Sequence, residues 1–259
     1  MKNRSAFPSA LCLLLAPGLL LASPKAAAQE TSASPVTYEA CVALIESDAA
    51  SALEMAKTLQ HRSGETEAGG AHCEALALKQ LGRPAEAGKA FFNLAERLLR
   101  AEDALRSDIY AQAGDAWVLA DEYDLAIRAY DNAIARMPDQ AGFYEGRARV
   151  KALAGKWEGA RDDAAEALAR DPNFPAAMLI RSAASRTLGN PRAALADANH
   201  AVELNPHSPD ALLERGLVHM ALGDKASAWG DWSNAVRYAK ETGRENDPAA
   251  LAAAHYLSQ

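Results

Sequence analysis

The same spacing recurs at a fixed step of 34 residues: Arg147, Arg181 and Arg215 are each followed sixteen positions later by Asp163, Asp197 and Asp231. A period of that length restricts the chain to architectures in which one small supersecondary unit is repeated in line. A unit so short cannot bury an apolar face alone, so neighbouring copies must stack to build a continuous core.

Four units are clear, at 107–140, 141–174, 175–208 and 209–242. Small residues fall into register across them. Gly114, Ala148, Ser182 and Gly216 share one column, Ala126, Ala160, Ala194 and Ala228 a second, and Ala133, Ala167, Ala201 and Ala235 a third. Gly155, Gly189 and Gly223 stand where a first helix would end, glycine being the residue that tolerates a left-handed cap. Pro138, Pro172 and Pro206 stand where a second helix would end. Asp139 and Ser208 are candidate caps for the helix that follows, and Asn190-Pro191 and Ser208-Pro209 place a capping side chain before a proline suited to the first helical position. The order helix, turn, helix, turn carries no strand signal.

These residues resemble tetratricopeptide repeats: Tyr110, Gly114, Trp117, Ala126, Tyr130, Ala133 and Pro138 in one unit, and Gly216, Gly223, Ala228, Trp232 and Ala235 in another, match the small, aromatic and proline columns of that family. The resemblance implies an all-α fold, a helical-hairpin solenoid wound into a superhelix, whose inner groove holds a peptide or a segment of a partner protein. Upstream, residues 35–106 read as two divergent hairpins, one over about 35–62 and one starting near 68, with Ser63 to Gly69 as the loop between them. About five extra residues before the unit at 107 suggest that the preceding helix runs on through Leu98 and Leu99. Downstream, Gly243 to Asn246 is a connector, and Asp247-Pro248 opens a capping helix within 243–259.

Residues 1–28 read as a signal peptide: Lys2 and Arg4, a mostly apolar run from Ala10 to Ala22, then Ala26-Ala27-Ala28 as a cleavage site. The run is shorter than the ~20 apolar residues a bilayer span needs, and Leu11 is too bulky for Cys12 to become a lipid anchor. Residues 29–34 read as a disordered lead-in, and the product as periplasmic or secreted without stable membrane insertion. Without its first 28 residues the chain carries 24 basic and 34 acidic side chains, a balance that argues against nucleic-acid binding. Cys41 and Cys73 remain, an even number for an oxidising compartment. They read either as a disulfide joining the first helices of successive hairpins or as two small buried side chains.

The arginine and aspartate columns could form an anion-binding ladder. The unit at 107, however, has Ala113 and Ala129 at those positions. Partners lost together suggest structural ion pairs across each hairpin. In the resembled architecture the first helix of each unit faces the groove, so register nominates Asp115, Glu145, Arg149, Leu179, Arg186, Leu213, Leu217 and Met220 as partner-binding residues. Acids come first, then arginines, then apolar residues; the leucines and methionine could equally be core. The places where some relatives clamp a C-terminal carboxylate hold Ala111, Asp115, Glu145 and Arg149, which does not fit that clamp. After residue 28 there is no phosphate-binding glycine loop, His-Glu metal helix or Gly-x-Ser-x-Gly elbow. The expected function is therefore a non-enzymatic adaptor without cofactor or metal. A self-assembling structural component and an accessory subunit of a cell-envelope enzyme are the alternatives.

Overall fold

The computed structural model describes residues 36–259; the expected signal peptide and the segment at 29–34 lie outside the described residues. Among the described residues there are thirteen helices and no strand: α1 (Tyr38–Leu44), α2 (Ala49–Gln60), α3 (Glu65–Gln80), α4 (Pro84–Arg97), α5 (Asp103–Val118), α6 (Tyr123–Arg136), α7 (Ala141–Leu153), α8 (Trp157–Arg170), α9 (Pro175–Thr187), α10 (Pro191–Leu204), α11 (Pro209–Ala221), α12 (Lys225–Glu241) and α13 (Pro248–Leu257). From α5 to α12 they form four antiparallel hairpins, and each hairpin packs its first helix on the second helix of the one before. None of the helices is long and apolar enough to cross a membrane.

The alanine columns are the floor of the stack. Ala126, Ala160, Ala194 and Ala228, and likewise Ala133, Ala167, Ala201 and Ala235, are completely buried. The remaining small column varies with a large one. Gly114 faces Tyr130 and Gly216 faces Trp232, while Ala148 and Ser182 belong to units whose corresponding residues are Ala164 and Ala198. A Cβ on Gly216 would overlap the indole nitrogen of Trp232, and one on Gly146 would overlap the ring of Tyr130. Side-chain volume is thus traded between the two helices of a hairpin, as close packing requires. The turn after each first helix takes a left-handed residue. Gly155, Gly189 and Gly223 have φ of 71°, 83° and 84°, and Asp121, which replaces glycine in the first of these units, has φ 57°. Aspartate is among the few side chains that accept this conformation.

Three expectations need correction. Residues 65–69 are helical and belong to α3; the connection is only His61 to Gly64. The glycines there serve helix contact, because a Cβ on Gly70 would lie 2.8 Å from the α2 backbone and one on Gly69 3.3 Å from Tyr38. The helix before the unit at 107 ends at Arg97 instead of running through Leu99. Leu99 is 76% exposed, so extension would bury little, while the Arg106 guanidinium donates to the Ala95 carbonyl at 3.2 Å and satisfies the open end of α4. Nor do Asp139 and Asn190 cap: α7 is preceded by Gln140 and α10 by Asn190, neither with a side-chain cap bond. Ser208 does cap α11, accepting from the Ala211 amide at 3.3 Å. Asp247 accepts from the Ala249 and Ala250 amides at the start of α13.

Each arginine of the repeated pair forks onto its aspartate. The Nε and Nη2 distances are 2.8 and 2.7 Å for Arg147–Asp163, 2.8 and 2.6 Å for Arg181–Asp197, and 2.9 and 2.6 Å for Arg215–Asp231. In the unit at 107 the two positions are Ala113 and Ala129, both fully buried. Asp163 also receives Lys151 at 2.7 Å, and Arg147 reaches back to Asp131 of the preceding unit at 2.5 Å. The Asp163 side chain is only 7% exposed. Asp163→Ala therefore leaves Lys151 without its partner and Arg147 with only Asp131, in a place where water cannot fully solvate them, and a loss of about 3 kcal/mol is expected. Asp197→Ala should lose less, because its arginine partner is 34% exposed. Urea unfolding of the two variants checks the order; a loss below about 1 kcal/mol for Asp163→Ala would put it among surface pairs.

At the other end of the stack, the Cys41 and Cys73 sulfurs are at bonding distance, 2.02 Å, with their Cα atoms 6.3 Å apart. They join α1 to α3, and both side chains are fully buried.

Candidate partner-binding groove

The odd-numbered helices touch one another in series, α5 on α7, α7 on α9, α9 on α11 and α11 on α13. Even-numbered helices pack mainly on the odd helices flanking them. The row of first helices is therefore the tighter, inner side of the stack, and side chains projecting from it line one continuous face. Leu179, Leu213, Leu217 and Met220 are half-buried, each with part of its surface against the core cluster that contains Met178, Leu212 and Trp232. Asp115, Glu145, Arg149 and Arg186 are also only partly exposed.

The charges on this face are already engaged. Arg149 donates to Asp115 at 2.9 Å, and its Nε lies 3.7 Å from Glu145. The Tyr130 hydroxyl donates to the same Asp115 oxygen at 2.7 Å. Burial raises the pKa of Glu145, opposed by the positive charge of Arg149, and burial with Asp115 nearby pushes the Tyr130 phenol far up. Further along, Arg186 forks onto Glu214 with both distances 3.0 Å, and the Ser182 hydroxyl donates to the same carboxylate at 3.0 Å. The acids-then-arginines pattern thus resolves into internally paired clusters, each bridging two successive first helices. A ligand does not meet bands of free charge.

Glu214 is the residue that the register of the first helices passes over. Its column otherwise holds Gln112, Gly146 and Ile180, and that of Arg186 holds Val118, Ala152 and Met220. One acid and one base, each the single charge in its column and one unit apart, were the signal for the pair. A second bridge, missed for the same reason, lies at the other end. The His72 ring nitrogens sit 2.9 Å from the Tyr38 hydroxyl and 2.9 Å from Gln112 Oε1, which ties α1, α3 and α5 together. That network assigns the proton to Nε2, with Nδ1 accepting from Tyr38. Burial lowers the pKa of His72, in keeping with a neutral ring held on both sides.

The groove ends in a cleft of about 510 Å³ formed by α9, α11, α12 and α13. Arg186, Leu217 and Met220 reach it from the inner face, and Lys225, Trp229 and Tyr256 complete its walls. The arrangement offers shape, hydrogen bonds and apolar surface to another chain. Among the described residues no cluster of three or more His, Cys, Asp or Glu side chains is arranged to hold a metal.

No curated protein sequence matches this chain. A family profile described as tetratricopeptide repeat matches residues 110–175 and 184–244. Among solved structures, the C-terminal part of a tetratricopeptide-repeat protein from Cytophaga hutchinsonii superposes with a TM-score of 0.63 at 15% identity, over 85% of this chain and 85% of that one. YrrB, described as a tetratricopeptide-repeat protein with an unusual peptide-binding site, gives a TM-score of 0.54 at 16% identity over 73% of this chain and 91% of its own. A thermophilic repeat protein of Thermus thermophilus gives 0.57 at 17% identity over 74% of this chain and all of its own. At these identities the structures share the fold. With the hairpins, the small-residue columns and the profile in agreement, the chain belongs to the tetratricopeptide-repeat family.

Proposed function

We propose that this protein is an exported, periplasmic adaptor that holds a peptide or partner segment along the row formed by α5, α7, α9, α11 and α13. The observation that carries this reading is the state of the polar groups on that row. Asp115 with Arg149, and Arg186 with Glu214, are fixed by partners inside the chain, so the surface is organised before a ligand arrives and little further ordering is lost on binding. The half-buried leucines of α9 and α11 add apolar area beside these clusters. A peptide in contact with such a surface gains main-chain hydrogen bonds and apolar burial without stranding a buried charge. The peptide-binding site described for YrrB is in keeping with this use of the fold. Export is supported by the order of charge, apolar run and small residues in the first 28 positions, and by a cysteine pair at bonding distance, a feature of oxidising compartments.

Ala152 and Ala183 stand half-buried in the middle of the row. The double substitution Ala152→Arg/Ala183→Arg places two long side chains across it. Crosslinking to an envelope extract, followed by identification of the captured proteins, is expected to show about ten-fold less of the principal partner for this variant. Arg192→Glu, at an exposed position of α10, should leave the yield unchanged. Equal capture by all three proteins would remove the groove from the function.

A further inference from the structure

The cleft at the end of the stack differs from the rest of the groove in one respect: among the described residues it is lined by a cationic side chain that forms no salt bridge. Lys225 and Arg186 line it, and no acidic side chain does so among the described residues. Arg186 is neutralised from behind by Glu214. Lys225 has no ion-pair partner among the described residues, and the neighbouring Asp224 is engaged in capping α12, accepting from the Ser227 amide at 3.1 Å. In a chain of net charge −7, the lining of this cleft thus carries two cationic side chains over an apolar floor.

The floor has a structural origin. Trp229 occupies the column of Ile127, Arg161 and Leu195, of which Ile127 and Leu195 are half-buried against core residues. After α12 the place of the next first helix is taken by α13, which has ten residues where α11 has thirteen. Its Tyr256 stacks on Trp232 with ring centroids 4.9 Å apart, but Trp229 remains 47% exposed. Lys225 and Trp229 are four positions apart on one helix and so share a face. An aromatic side chain thus lies open to solvent, with an unpaired ammonium group beside it on the same helix face.

We propose that this cleft is a subsite for an acidic peptide segment carrying an aromatic or long aliphatic side chain. The apolar group of the ligand lies against Trp229, Met220 and Tyr256, and a ligand carboxylate one or two positions away pairs with Lys225. The volume accommodates one large side chain with its flanking backbone. Aromatic edges and faces favour such contacts, and the paired charge sets the direction of the segment. This assignment rests on the groove reading above and specifies which chemistry enters the groove at its α13 end.

The test uses purified full-length protein and two blocked pentapeptides, acetyl-Asp-Glu-Phe-Asp-Gly-amide and its counterpart with lysine at each acidic position, followed by indole resonances in an NMR titration. The acidic peptide is expected to bind, to shift the Trp229 indole signal first, and to bind at least about ten-fold more tightly than the basic one. Lys225→Glu should abolish or invert that preference, and Trp229→Ala should weaken binding of the acidic peptide about ten-fold. Both positions are exposed, so the fold is expected to persist, with circular dichroism as the control. Equal affinity for the two peptides, no binding of either at millimolar concentration, or shifts confined to the Trp117 and Trp157 indoles would each overturn the proposal. Those outcomes leave the capture experiment with Ala152→Arg/Ala183→Arg untouched, so the subsite and the groove can fail separately.

Discussion

Trp232→Ala is expected to lower the unfolding free energy by about 3 to 5 kcal/mol, the range for removing a large aromatic from a closed core. Trp232 is 1% exposed, touches the α11 backbone at Gly216 and stacks on Tyr256 of the capping helix. Its loss therefore empties the last hairpin and loosens α13 together. Gly216→Ala alone should lose about 1 to 3 kcal/mol, because the added methyl overlaps the indole ring and the overpacked helix must shift. In the double variant the alanine methyl has room, so the combined loss should be smaller than the sum of the two, a coupling readable in a double-mutant cycle. Urea midpoints followed by circular dichroism measure all three. Strict additivity, or a loss below about 1 kcal/mol for Trp232→Ala, would show that the volume trade between α11 and α12 does not hold the end of the stack together.

A comparable effect is expected from Cys41→Ala/Cys73→Ala. The 32-residue separation between the cysteines corresponds to about 3 to 4 kcal/mol in the chain-entropy description of a cross-link. Because α1 packs mainly on α2 and α3, the loss should be local. In a one-dimensional stack, units far from the change keep their own stability. Hydrogen exchange is therefore expected to lose protection over α1 and α2 while α9 to α12 stay protected. Full burial of both sulfurs means that reductant acts on the native protein only as fast as this end opens. Uniform loss of protection along the whole chain, or none, would contradict that description.

The architecture was legible because the chain contains its own alignment. Four copies at one step let a column be read as a physical requirement: alanine where two helices meet, a left-handed residue at the turn, proline where a helix stops. The joint absence of charge at Ala113 and Ala129 suggested that the arginine and aspartate columns belong together, and the structure has the fork in each of the three units that carry them. Reading by column fails where copies are single. Arg186 and Glu214 are each the single charge in their columns, so neither shows a pattern by itself. Gly69 and Gly70 look like loop residues in a sequence without a companion unit, although they are where α3 meets α1 and α2. The end of α4 was set by a side chain from the next helix, Arg106, which local propensity does not contain. In the groove, the row of first helices follows from the repeat, but the pairing of the charges in its middle depends on contacts between units, which spacing within one unit does not reveal.

The large ring of Tyr130 has a consequence for how such a chain can gain or lose copies of itself. It presses on Gly114 in its own unit and on Gly146 in the following one, with no room at either for a methyl group. Excising residues 141–174 would bring Ile180 to the position of Gly146 and drive a branched side chain into that ring. Removing residues 175–208 would instead set Glu214 beside Ala164, without that collision but also without Arg186 and Ser182, the partners of its buried carboxylate. Though written at a constant interval, the copies are not interchangeable beads: their succession is locked by who stands next to whom, and recombination at these borders is free only where both faces are small.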